Sequence, residues 1–116
     1  MTKYVMKDER AFRDDSAVGH AIPRAVLYEG MGFQTSVVRM YKGQDLGLHR
    51  HDSWVQVFVL SGRIYCSIED RECGPGDYYC VEPGDEHVEV GLEDGTDILL
   101  IKALPNIQYQ VEQQPH

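Results

Sequence analysis

Between residues 25 and 103, short runs of β-branched, aromatic and aliphatic residues follow one another at close intervals. Glycine or proline cuts off all but residues 63–69, which end at the polar tip Asp70-Arg71-Glu72. Residues 25–29 end at Gly30-Met31-Gly32, and residues 33–41 (FQTSVVRMY) end at Lys42-Gly43. Residues 49–60 (HRHDSWVQVFVL) turn at Ser61-Gly62, and residues 63–69 (RIYCSIE) return. Gly74-Pro75-Gly76-Asp77 and Glu82-Pro83-Gly84-Asp85 then frame residues 78–81, before residues 87–90 and the strongly apolar residues 97–103 (DILLIKA). Helical periodicity is absent apart from a weak trace in residues 1–20, and no internal repeat marks a duplicated domain. Many short strands with frequent Gly/Pro turns predict an all-β, small antiparallel sandwich or barrel. The expected layout is an N-terminal arm over residues 1–22, one barrel over residues 23–105, and a Gln-rich, loosely held tail over residues 106–116.

A chain of 116 residues can bury a core without disulfide or metal staples, so any metal ligands among its side chains are free to serve chemistry. The formal charge of −8 argues against a phosphate-facing basic surface, so no nucleic-acid partner is expected. No run approaches the ~20 apolar residues of a membrane span, and the N-terminus has no stretch of signal-peptide character. Cys66, Cys73 and Cys80 match no Cys-x-x-Cys pattern and are too few for a disulfide framework. They are expected to be ordinary thiols of a reducing, cytoplasmic compartment.

Five histidines remain: His20, His49, His51, His87 and His116. His49 and His51 are two residues apart on an expected strand. Alternation puts both imidazoles on one face, about 6.6–6.8 Å apart along the strand, and sends Arg50 to the other. His87 opens a later strand that an antiparallel barrel can lay beside the first. His20 and His116 have no motif around them. A His-x-His pair alone arises readily by chance as two surface histidines.

The surroundings of these residues carry a family resemblance. Gly43-QDLGL-His49-Arg50-His51-DSWV-Gln56-VFVLS-Gly62 resembles the first motif of the cupins, and Gly76-DYYCV-Glu82-Pro83-Gly84-Asp85-Glu86-His87 resembles the second. The resemblance implies a double-stranded β-helix, the cupin jelly-roll barrel, with a divalent transition metal in its mouth and a homodimeric assembly. It makes His49, His51 and His87 the metal ligands.

The departures from the pattern matter more. The family's glutamate, counted back from Gly62, falls on Val55, which cannot ligate; counted forward from His51, it falls on Gln56. Strand alternation favours Val55 inward, and a β-bulge would turn Gln56 inward instead, so Gln56 stands as a possible fourth ligand. Glu82 replaces the motif proline and Gly91 the motif asparagine. Glu89 shares the face of His87 and is expected at the rim as a solvated carboxylate, with contact to the metal or its water as the alternative. Arg39 is the candidate cation for an anionic substrate, against an exposed sheet-face role. Tyr41, Trp54, Phe58 and Tyr79 are expected as packing or dimer surface, with Tyr41 also a possible substrate contact.

Imidazole does not select among metals. Fe(II) is favoured by the resemblance, with Zn, Ni or Mn possible. Three neutral ligands leave a divalent ion at +2 and favour a bidentate anionic small molecule. This subset of cupins resembles the enzymes that cleave acetylacetone-type diketones and 2,4′-dihydroxyacetophenone, which are non-haem iron dioxygenases breaking a C–C bond. An oxygen-independent isomerase or lyase acting on a sugar acid or keto compound is the main alternative, and Gln56 as a ligand would favour it. A non-catalytic small-molecule-binding cupin is the third.

Overall fold

The structure, a computed structural model, describes residues 1–15 and 22–111. His20 and His116 lie outside these. The strands in chain order are β1 (Arg13–Asp15), β2 (Ile22–Gly30), β3 (Phe33–Met40), β4 (His49–His51), β5 (Val55–Ser61), β6 (Ile64–Cys66), β7 (Arg71–Cys73), β8 (Tyr78–Val81), β9 (Glu89–Gly91), β10 (Thr96–Ala103) and β11 (Gln108–Gln110). Every pairing between them is antiparallel. The chain is therefore all-β, as its punctuation predicts.

Three sheets form. The large one has the order β1-β2-β3-β10-β5-β8, and the smaller two are β7-β6-β9 and β11-β4. The large sheet follows from alternation. Val55, Val57 and Val59 of β5 are buried, while Gln56, Phe58 and Leu60 between them are not. In β10, Ile98, Leu100 and Lys102 share the inward face, opposite Val59, Val57 and Val55 in the β5 register. One core joins the layers: Ile22, Val38, Met40, Val55, Val57, Val59 and Ile98 from the large sheet meet Ile64 and Cys73 from the small one. Each fully buried aliphatic contributes roughly 1.5–3 kcal/mol. Cys66, Cys73 and Cys80 are all free thiols.

The sequence reading differs from the structure in three places that bear on the site. Residues 49–60 are not one strand. They break at residues 52–54, where the Asp52 amide donates to the Ile107 carbonyl (3.1 Å) and the Asp52 carboxylate accepts from the Ile107 amide (2.7 Å). The described part of the expected loose tail is tied in: Gln108–Gln110 forms β11, with Gln108 opposite His51 and Gln110 opposite His49. The expected third run stops early, because Glu69 and Asp70 take positive φ in a short 3-10 turn.

Candidate metal centre

β4 and His87, two residues before β9, are held together by main chain. His49 and His87 form an antiparallel bridge in which each amide donates to the other's carbonyl, at 3.0 and 2.9 Å. This places the two imidazoles side by side, with ring centroids 4.1 Å apart. His51, two residues along β4, completes the group, its centroid 5.3 Å from that of His49 and 5.8 Å from that of His87. One ring nitrogen from each histidine lies within 4.8 Å of those of the other two.

The outer ring nitrogens decide what these inner ones can do. His49 Nδ1 is 2.8 Å from the Gly47 carbonyl and His87 Nδ1 is 3.0 Å from the Asp85 carbonyl. A carbonyl only accepts, so both Nδ1 atoms carry hydrogen. His51 Nδ1 lies 2.9 Å from Asn106 Oδ1. The Asn106 amide donates to the Trp54 carbonyl at 3.3 Å, which fixes its orientation and makes Oδ1 the acceptor. Neutral imidazole has one N–H, so all three Nε2 atoms are left as lone pairs within one cluster. This is the arrangement that presents histidine to a metal ion, with the ring held by a hydrogen bond behind it. The donor set therefore fits a divalent transition metal.

Glu89 lies in the interior beside His49 and His87 and not at the rim. The alternation that follows His87 carries it inward, where it is buried at 6% exposure. Its Oε1 is 3.1 Å from His87 Nε2 and 3.5 Å from His49 Nε2, and its Oε2 accepts a short hydrogen bond from the Tyr79 hydroxyl. Burial alone would raise the Glu89 pKa, but the hydrogen bonds and charges of His49 and His87 hold it well below the carboxylate range. Burial alone would lower His87, yet the Glu89 hydrogen bond and charge outweigh it and raise that pKa. His51, mainly desolvated, is lowered to about 4. Below its raised pKa, His87 therefore carries a second proton, on the Nε2 that faces Glu89, and a metal must displace it. Metal affinity is expected to rise with pH toward the raised His87 value, because a protonated ring cannot ligate. Calorimetry at pH 6 in buffers of different ionisation enthalpy should find about one proton released per ion; none would contradict the pairing.

The histidines open into a cavity of about 50 Å³, room for roughly three to five water-sized groups. Its wall is largely apolar and includes Val55, Val57, Val81, Ile98 and Leu100, with Arg24 and Lys102 as its cations. Val55 thus faces the cavity from the position where the family pattern has its carboxylate.

Three of the sequence candidates are corrected. Gln56 is no ligand: it lies on the opposite face of β5, where its Oε1 accepts from the Tyr78 hydroxyl at 2.9 Å. Arg39 points outward and forms a two-pronged pair with Asp97 at 2.8 and 2.9 Å, which raises its pKa, so its charge is spent away from the cavity. Tyr41 is 61% exposed and is not among the residues of the cavity wall. Of the aromatics, Phe58 packs on Tyr78 outside, Trp54 on Phe33, and Tyr79 serves Glu89.

Lys102 and Asn106 escaped the sequence reading. Lys102 could have been found, since alternation from Ile98 and Leu100 carries it inward. Arg24 is bound by Asp15 and Ser36 at 2.8 Å each. Lys102 forms no ion pair or side-chain hydrogen bond among the described residues, and burial followed by the Arg24 charge lowers its pKa. No residue pattern announces Asn106.

The family model described as the ChrR cupin-like domain matches residues 4–106. Comparison with curated proteins returns no match. Among solved structures, KdgF from Halomonas sp. is 20% identical, with a TM-score of 0.71 over 87% of this chain and 94% of that one. A candidate acetylacetone dioxygenase from Methylibium petroleiphilum PM1 is 14% identical, with a TM-score of 0.77 over 100% and 86%. A chain of the complex of Rhodobacter sphaeroides SigE with the anti-sigma ChrR is 21% identical, with a TM-score of 0.68 over 84% of this chain and 51% of that one. Our chain spans about half the length of that last chain. At these identities the likeness is one of fold, and the fold is cupin-like. No helix among the described residues is long and apolar enough to cross a membrane.

Proposed function

The chain belongs to the ChrR cupin-like domain family, and from that premise we propose that it is a metal-dependent cupin enzyme, a non-haem iron dioxygenase that cleaves a C–C bond of a small diketone- or hydroxyketone-type substrate. The observation that carries this is the commitment of all three Nδ1 atoms to oxygen acceptors, which aims three Nε2 lone pairs into a small, mostly apolar cavity. A divalent ion held there supplies Lewis acidity and a template for an oxyanion and dioxygen. The likeness to the candidate acetylacetone dioxygenase supports the reading at the level of fold.

The protein's own residues have three tasks. His49, His51 and His87 bind and fix the coordinating face. Val55, Val57, Val81 and Leu100 exclude water, which strengthens every electrostatic interaction inside. Lys102, cross-strand from Val55, offers an ammonium to the negative charge of the bound substrate and offsets the chain's overall charge of −8.

The deciding experiment is oxygen uptake by the iron-loaded protein offered acetylacetone and 2,4′-dihydroxyacetophenone. Uptake matched by carbon–carbon cleavage supports the dioxygenase, and no uptake across the panel overturns it. Lys102, which forms no ion pair among the described residues, also suits a carboxylate-bearing sugar acid, and KdgF has the same fold. Turnover of such a compound without oxygen would assign the oxygen-independent class instead. In either class Lys102→Met is expected to raise the KM for an anionic substrate by roughly tenfold or more, from the loss of a charge-assisted hydrogen bond. Metal content should stay unchanged, and steady-state kinetics alongside metal analysis checks both.

A further inference from the structure

We propose that Glu89 is a fourth protein ligand of the metal centre, so that the carboxylate which Val55 withholds on β5 is returned from β9. The inference rests on the metal-binding reading of the same cluster and adds to it the charge and the coordination of the ion.

The distances carry it. Two donor atoms each about 2.1 Å from one ion, at tetrahedral to octahedral angles, lie about 3.0–3.5 Å from each other. Glu89 Oε1 stands 3.1 Å from His87 Nε2 and 3.5 Å from His49 Nε2, the separations of ligands sharing an ion. Ordinary hydrogen bonding does not account for both contacts. The Gly47 and Asp85 carbonyls hold the single N–H of each neutral ring at Nδ1. Two nitrogen lone pairs and one carboxylate oxygen therefore face each other in a buried place. A proton satisfies one of these contacts; a multivalent cation among them satisfies all.

The carboxylate is also held for the task. Tyr79, on β8, donates to Oε2 and so leaves Oε1 as the oxygen turned to the histidines. Glu89 is paired with Cys66 across the β6–β9 ladder, which fixes its main chain. A buried carboxylate needs such partners, since burying an unpaired charge is costly. With Glu89 bound, the site neutralises one charge of a divalent ion, and a six-coordinate ion keeps two positions for a chelating substrate.

The test uses the full chain and Co(II). Glu89→Gln, which keeps the shape of the side chain, and Glu89→Ala are both expected to bind Co(II) at least about 100-fold more weakly than wild type, with a shifted visible spectrum. Tyr79→Phe leaves the ligand in place and is expected to weaken binding by about 10–100-fold, with the wild-type spectrum. Binding by Glu89→Gln within about threefold of wild type would overturn the assignment. So would weakened binding with the wild-type spectrum, which would make Glu89 a positioning residue for His87. A wild-type chain that takes up no Co(II) would overturn the metal centre and this ligand with it, an outcome distinct from the other two.

Discussion

His51→Ala is expected to emerge from purification folded and without stoichiometric transition metal, while Gln56→Ala emerges with the wild-type content. His51 is the cleanest of the three histidines to remove. It is only partly buried, and no side-chain hydrogen bond ties it to Glu89. His49 and His87 are 1% exposed and both face Glu89. Removing either would leave a buried carboxylate short of a partner, a change that can cost about 3–5 kcal/mol and confuse metal loss with unfolding. Loss of a residue that merely supports a ligand lowers metal affinity by about 10–100-fold. Loss of a ligand itself should exceed that, so a fall of about 1,000-fold, about 4 kcal/mol, is the expected scale. Elemental analysis reads the metal, and circular dichroism confirms the strands. Full metal content in His51→Ala would remove it from the centre. Asn106→Ala, which frees His51 Nδ1, should fall between the two extremes, within the 10–100-fold range.

Strand parity explains how much of this was legible in advance. Parity is local, so it correctly put Val55 inward and Gln56 outward, even though the strand on which it was counted breaks at residues 52–54. The same rule applied to residues 97–103 would have brought Lys102 into the cavity. Arg39, the cation expected from the sequence, is taken by Asp97, a partner 58 residues away and visible only once β3 and β10 are paired. Parity also put Glu89 on the face of His87. What it did not give was depth, because a residue's distance from the rim depends on which strands close over it. Asn106 lay wholly beyond reach. It sits in a polar tail with no hydrophobic pattern, and its role comes from residues 107–110 being pinned to β4 and Asp52. Motif spacing finds the residues that converge on a metal, while the groups that orient them arrive from whatever part of the chain packs behind.

Among the described glycines, Gly62→Ala should be the most damaging substitution, at a position outside the cavity wall. Gly62 turns β5 into β6 with φ at +77°, a conformation that costs a residue with a Cβ roughly 1–2 kcal/mol. Strain is the smaller part. An added Cβ would lie 2.6 Å from the Thr96 Cα and 2.3 Å from its Oγ1. Thr96 is fully buried, and its hydroxyl lies 2.8 Å from the Glu93 carbonyl and 3.1 Å from the Arg63 carbonyl, while accepting from the Arg63 amide at 3.2 Å. The backbone cannot move aside without breaking that junction between β6 and β10. A loss of at least about 3 kcal/mol is expected, overpacking and strain together, which for a domain of this size lowers Tm by roughly 10–20 °C. Gly76→Ala is the control. Gly76 has a φ of +91° but nothing within 4 Å of an added Cβ, so only the strain remains, and its Tm should fall by no more than about half as much. Equal losses at the two positions would mean that backbone strain alone accounts for the effect and that Thr96 gives way freely.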